Sequence, residues 1–372
     1  MRSTTPIRWP AFGLEPGYFA LRFVALAAAA GSAYAIATRY FSVTVGLLTC
    51  AWLCLVPWLA RSLFTTQYDG VACVYLLAGI AFAVAPKQLR TAGQFAAGAL
   101  FALAVNCNLA IVAVIAMFMP AWAYLQQAHG LARIARGGLV IAGGFVFTYL
   151  CLIVGMRIAY PQFGWFFEST TLKVAFALAG GTAANWFMPL DQIITNPAHS
   201  YLLIPAGFAA AAAILSSRIL IKYSEGKILN RDQCSFVIAS AMFLLGVIAI
   251  AFALHLFLKF AWLSLYYYCI YFLPASMLAL ISIAGVAHAR VGADKFRILA
   301  IGNIALIGVI WMTDPRAPAI WTDLDLGKVG VFLCAVAVAV ASANWFRSPD
   351  RVRLCDDRVS YNLAQHLSCS KS

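Results

Sequence analysis

Charge is what this sequence has least of. Only 10% of its 372 residues are charged, where a soluble globular chain carries roughly 25%. Acids are the scarcer half, 13 against 26 Lys and Arg. So little polar surface cannot coat a water-soluble particle of this size, which excludes a cytosolic enzyme and a disordered scaffold. The formal charge of +13 lies in small groups between apolar runs. Without a basic stripe it points to no nucleic acid and reads as membrane topology. Metal and redox motifs are missing as well. The ten cysteines contain no CxxC. Seven (Cys50, Cys54, Cys73, Cys107, Cys151, Cys269, Cys334) lie in or beside apolar runs, where Cys acts as a small hydrophobe. Cys234 opens another run, and Cys355 and Cys369 are in the tail, so neither a disulfide framework nor a zinc site is expected. The chain has no Walker A sequence and no GxGxxG. No apolar run carries a central Asp or Glu, as an ion-coupled transporter usually needs, and no paired Gly/Pro-broken runs suggest an inverted repeat.

Apolar length is what the chain has. It is 63% hydrophobic, with a mean hydropathy of +0.87. A helix needs about 20 apolar residues to cross about 30 Å of hydrocarbon. Eleven candidate runs stand out: 18–37, 41–60, 70–85, 92–105, 108–127, 137–156, 201–221, 235–258, 261–286, 298–313 and 329–345. Asn106 and Asn108 split 92–127 into two short runs meeting at a polar hairpin. The first run has no A-x-A-like site before a polar chain, so it is not read as a cleavable signal peptide. The predicted fold class is all-α, a polytopic transmembrane bundle of about 11 spans. Its parts are an N-terminal membrane half (1–156), an outer aromatic loop (157–200), a C-terminal membrane half (201–345) and a cytoplasmic tail (346–372).

Basic residues set the orientation. With the C-terminus inside, the inner connections and tail hold 17 of the 26 Lys and Arg. The positive-inside rule then predicts an inner-membrane, multi-pass protein with its N-terminus outside. Arg2 and Arg8 on that outer stub run against the rule.

Chemistry is expected on the outer face, where the long loops fall. Asp69 ends the loop RSLFTTQYDG just before an apolar run. A carboxylate there can ligate a divalent cation or serve as a base at a lipid headgroup. It can equally be a helix-start acid favoured by the dipole, or pair with Arg61. The loop 157–200 carries Tyr160, Trp165, Phe166, Phe167, Trp186 and Phe187, with Glu168, Asp191 and His199 as polar groups. It either caps the outer face or cradles an isoprenoid chain and a sugar, with Glu168 or Asp191 at the polar end. His255 and Lys259 close the eighth run before Trp262 and Tyr266-Tyr267-Tyr268. A cation at that depth can bind a lipid phosphate, or Lys259 can only snorkel. Arg22, near the outer end of the first run, carries the same two readings.

The order of features from Phe12 to Leu125 resembles the GT-C class of membrane glycosyltransferases, which includes protein mannosyltransferases and lipid A aminoarabinose transferases. GYFALRFVALAAAAGSAYAIATRYF is similar to the second span of that class, with Arg22 in the place of its early arginine. VGLLTCAWLCLVPWLARSLFTTQYDG resembles the next span, with a late proline at Pro57 and an outer-loop acid at Asp69. RTAGQFAAGALFALAVNCNLAIVAVIAMFMPAWAYL resembles the paired short helices that follow, with Asn106 and Asn108 where the class often has a Lys. YYYCIYFLPASMLAL is like a late span, without the Arg that often precedes its Tyr.

The resemblance implies transfer of a sugar from a polyprenyl-phosphate donor to a glycan or lipid acceptor on the outer face. Asp69, Glu168 and Asp191 are the expected catalytic residues, with a divalent cation at Asp69 and donor-phosphate binding by Arg22, His255 and Lys259. Members of the class start inside and present an acid in the first outer loop. Here only Glu15 precedes the first run. The expectation is therefore that one span and its acidic loop are lost or precede Met1, which leaves a truncated or inactive relative as one outcome. A transporter or flippase of lipid-linked saccharides, or a non-catalytic membrane protein, is the alternative.

Overall fold

The structure, a computed structural model, describes residues 14–55, 69–85, 90–127, 130–160, 188–195, 203–222, 229–258, 263, 270–298 and 300–302. All regular elements among the described residues are helical. An apolar run has no water to satisfy its peptide groups in hydrocarbon, so it must close its own hydrogen bonds. The helices are α1 (Leu14–Tyr40), α2 (Val43–Leu55), α3 (Asp69–Ala83), α4 (Arg90–Cys107), α5 (Ile111–Gln126), α6 (Leu131–Ala159), α7 (Leu190–Thr195), α8 (Leu203–Lys222), α9 (Arg231–Leu258) and α10 (Leu273–Val291). Among the described residues, four stretches are long and apolar enough to cross a membrane: Leu21–Tyr40, Leu131–Ala159, Arg231–Phe257 and Ile270–Val291. The apolar helices Val43–Cys54, Asp69–Ala83, Ile111–Gln126 and Ala206–Ser216 are shorter.

Helix boundaries follow the apolar runs with two instructive shifts. The 29 residues of α6 extend about 44 Å at 1.5 Å each. This helix outruns its apolar stretch at both ends, taking in Arg133, Arg136 and Arg157. Within expected run 261–286 the described α-helix starts at Leu273, after a short 3₁₀ turn at 270–272, and 261–262 and 264–269 lie outside the described residues. Pro274 lies in its first turn, where a missing N–H costs nothing. The run 92–127 does break at Asn108 into α4 and α5. Most of 298–313 and all of 329–345 lie outside the described residues.

Neighbouring helices alternate in direction. Cys50 Sγ on α2 donates to the Ala30 carbonyl on α1 at 3.1 Å. Gly79 of α3 faces the Phe101 ring of α4, and Gly93 faces the Phe82 carbonyl nearer the other end. A ladder of edge-on rings, Phe101 to Phe118 at 5.9 Å and Phe118 to Phe243 at 5.5 Å, ties α4 through α5 to α9. Ser282 Oγ of α10 donates to Ser240 Oγ of α9 at 3.0 Å. In contrast, α4 and α6 run side by side in one direction, with Gln94 against Gly137 and Gly98 against Ile141. Gly98 and Gly144 leave no room for a Cβ there, because each faces the backbone of the other helix. Small residues at such a crossing let two backbones approach closely. The two expected membrane halves pack on each other through α5 with α9 and α2 with α10.

This alternation sorts the helix termini into two ends. One gathers Arg39, Arg90, Arg133, Arg136, Arg231 and Arg290. At the other lie Asp69, the turn at Asn108 and Tyr271.

Candidate functional site

Asp69 is the first residue of α3 and is only 7% exposed. A buried carboxylate is costly unless its lone pairs are satisfied. Its Oδ1 accepts from Asn108 Nδ2 at 2.5 Å and from the Tyr271 hydroxyl at 2.6 Å. Hydrogen bonds to a charged acceptor contribute about 1.5–3 kcal/mol each. The start of a helix adds a favourable dipole for the anion.

Local sequence sets each partner. Asn108 ends α4, and its own Oδ1 accepts from the Ala110 N–H at 2.9 Å. That bond fixes the amide so that its NH₂ points at Asp69. Tyr271 sits in the 3₁₀ turn before α10 and is 1% exposed. One turn into α3, Cys73 Sγ donates to the Ile270 carbonyl at 3.2 Å. Thus α3 is pinned twice to the start of α10.

A positive charge shares this neighbourhood. Arg22, on α1, is 6% exposed. Its guanidinium and the Asp69 carboxylate both act electrostatically on the Cys107 thiol, and Asp69 also acts on Cys73. The site is therefore a polar knot of buried Asp69 and Tyr271 with half-buried Asn108 and Cys107, in the electrostatic neighbourhood of Arg22.

Of the other expected residues, His255 is fully buried in the last turn of α9. Phe118 meets Phe243 and Met117 meets Gly246, so α5 and α9 are antiparallel. That register carries His255 to the end where Asn108 lies. Asp191 stands apart, exposed on the short helix α7. Glu168, Lys259, Arg61 and His199 lie outside the described residues.

Among the described residues no group of three His, Cys, Asp or Glu side chains could hold a metal ion, and both hydrogen bonds to Asp69 fall on Oδ1.

Tyr271 and Cys73 were not visible as site residues from sequence. The one usable signal was Pro274, which marks a helix start and so places Tyr271 at a helix end. Comparisons with family models, curated proteins and solved structures return no match.

Proposed function

We propose that this chain is a multi-pass inner-membrane protein of the GT-C type that handles a polyprenyl-phosphate-linked sugar on the outer face. In this reading it has about 11 spans, the C-terminus and the arginine end lie inside, and the Asp69 end faces out. The positive-inside rule supports that choice of faces.

The observation that carries the reading is the buried Asp69 with Arg22 in the same neighbourhood. Ionisable groups are rare within a membrane bundle and mark substrate or proton paths by default. In sugar transfer an acceptor hydroxyl attacks the anomeric carbon, the bond to the polyprenyl phosphate breaks, and the hydroxyl proton goes to a base. Asp69 is the candidate base. Arg22, with His255 at the same end, is the candidate partner of the departing phosphate.

One specific observation favours a second, non-catalytic reading. Asp69 is nearly closed to solvent, and two neutral donors share a single oxygen. A carboxylate held this way can serve as a latch between α3, the α4–α5 turn and α10, in a carrier of lipid-linked saccharides or an inactive relative. Release of polyprenyl phosphate from a labelled polyprenyl-phosphate sugar by the purified chain separates the two. Turnover that Asp69→Asn abolishes supports the transferase; no turnover with a stable, folded chain supports the latch.

A further inference from the structure

At the opposite end, three arginines from three helices lie within electrostatic reach, two of them acting on the third. Gln94 of α4 packs against Gly137 of α6, and the two helices run in the same direction. One turn earlier on each stand Arg90 and Arg133, on facing turns of the two helices. The Arg133 and Arg39 charges both act on Arg90. Arg39 is held in place rather than loose. Its guanidinium lies over the Tyr40 ring at 5.6 Å. That ring stacks on Phe236 at 4.2 Å, and the Tyr40 carbonyl accepts from Gln233 Nε2 at 2.8 Å.

The Asp232 charge acts on Tyr40, beside the cluster. Helix starts favour acids, and arginine there opposes the dipole. Yet α4 and α6 have no acid in their first turns and carry Arg90 and Arg133 instead. Topology alone requires basic residues at this end, but it does not require three helices to bring them within electrostatic reach of one another. Arg39 and Arg133 are exposed, and Arg90 is half-buried, so the cluster opens outward.

We propose that Arg39, Arg90 and Arg133 form a binding site for a phosphate group at the membrane surface. Guanidiniums grip phosphate oxygens in a bidentate manner, and three from separate helices enclose one anion. The group that fits the depth is the headgroup phosphate of an anionic lipid in the adjacent leaflet. Such a lipid clamps α1, α4 and α6 together. The proposal is independent of any reaction at the Asp69 end.

The test uses the purified full-length chain in neutral detergent. Retained lipid is read by native mass spectrometry and the unfolding midpoint by thermal shift. Phosphatidylglycerol, phosphatidylcholine and inorganic phosphate are added separately. Selective retention of phosphatidylglycerol over phosphatidylcholine is expected. Binding should weaken roughly fivefold for each arginine removed in Arg39→Gln, Arg90→Gln and Arg133→Gln, and should be unchanged in Arg290→Gln. Protection by inorganic phosphate equal to that by the lipid assigns the site to a free anion; protection that needs the lipid assigns it to a headgroup. Equal retention of the two lipids by the unmodified chain overturns the proposal with no variant needed. Arg39→Gln and Arg133→Gln alter exposed side chains and keep the fold; binding in both as tight as in Arg290→Gln overturns it too.

Discussion

The Tyr271 hydroxyl donates to Asp69 Oδ1 at 2.6 Å across 202 residues of chain. It joins the first turn of α3 to the turn that opens α10, two helices that are distant in sequence. Tyr271→Phe keeps the ring and removes only the donor. The loss should be about 1–3 kcal/mol, the cost of an unmade hydrogen bond to a buried charged group. Asn108→Leu removes the second donor and the cap on Ala110, and should cost at least as much. Thermal unfolding in detergent checks both. A midpoint unchanged in Tyr271→Phe would show that the bond contributes nothing net.

Gly143 and Gly144 are adjacent on α6 but differ in surroundings. A Cβ at Gly144 meets the Phe95 backbone, whereas at Gly143 it meets nothing within 4 Å. Gly144→Ala should therefore separate α4 from α6 and destabilise by about 1–3 kcal/mol, the usual range for overpacking. Gly143→Ala should be neutral or slightly stabilising, since Ala favours helix over Gly. Equal midpoints for the two variants would mean that the crossing is looser than described.

The arginine end should face the cytoplasm. Reporter fusions after Arg136 and Lys227 should report inside, and one after Asp191 outside. The reversed pattern would invert the bundle and place the Asp69 site on the inner face.

The all-helical character of the described residues was legible because a bilayer leaves a backbone few options, and two asparagines near one another in 92–127 signalled the break at Asn108; the expected 11 spans go beyond the four span-length helices among the described residues. Asp69 was legible as a helix-start acid for the same reason. Its partners were not. Tyr271 hides in an apolar, aromatic run where Tyr266, Tyr267 and Tyr268 all read as interfacial anchors, and only the true start of α10 sets it apart. Likewise, Arg39, Arg90 and Arg133 each look like ordinary flanking charges. Their convergence depends on α4 and α6 running in parallel, which follows from the α5 hairpin between them and from Gly137 accepting Gln94. The divalent cation expected at Asp69 came from the position of one carboxylate at the edge of an apolar run, a signal that names no second ligand.

Whether the Asp69 and Arg22 charges balance each other is testable by double substitution. Both are buried, at 7% and 6% exposure, and both act on Cys107. Neutralising one member of a buried charge pair leaves the other uncompensated, at a cost of about 3–5 kcal/mol. Asp69→Asn is nearly isosteric and Arg22→Gln shortens the side chain while keeping it polar. Each alone should lower the unfolding midpoint clearly. If the two charges compensate each other, the double variant should lose less than the sum, with a coupling above about 0.5 kcal/mol. Additive losses would show that Arg22 is balanced by other groups and that Asp69 rests on Asn108 and Tyr271 alone. Sugar-transfer turnover measured on the same four proteins separates stability from chemistry. A double variant that regains stability without regaining turnover places the Asp69 charge in the reaction. Full turnover in Asp69→Asn removes it from the reaction and leaves only the latch.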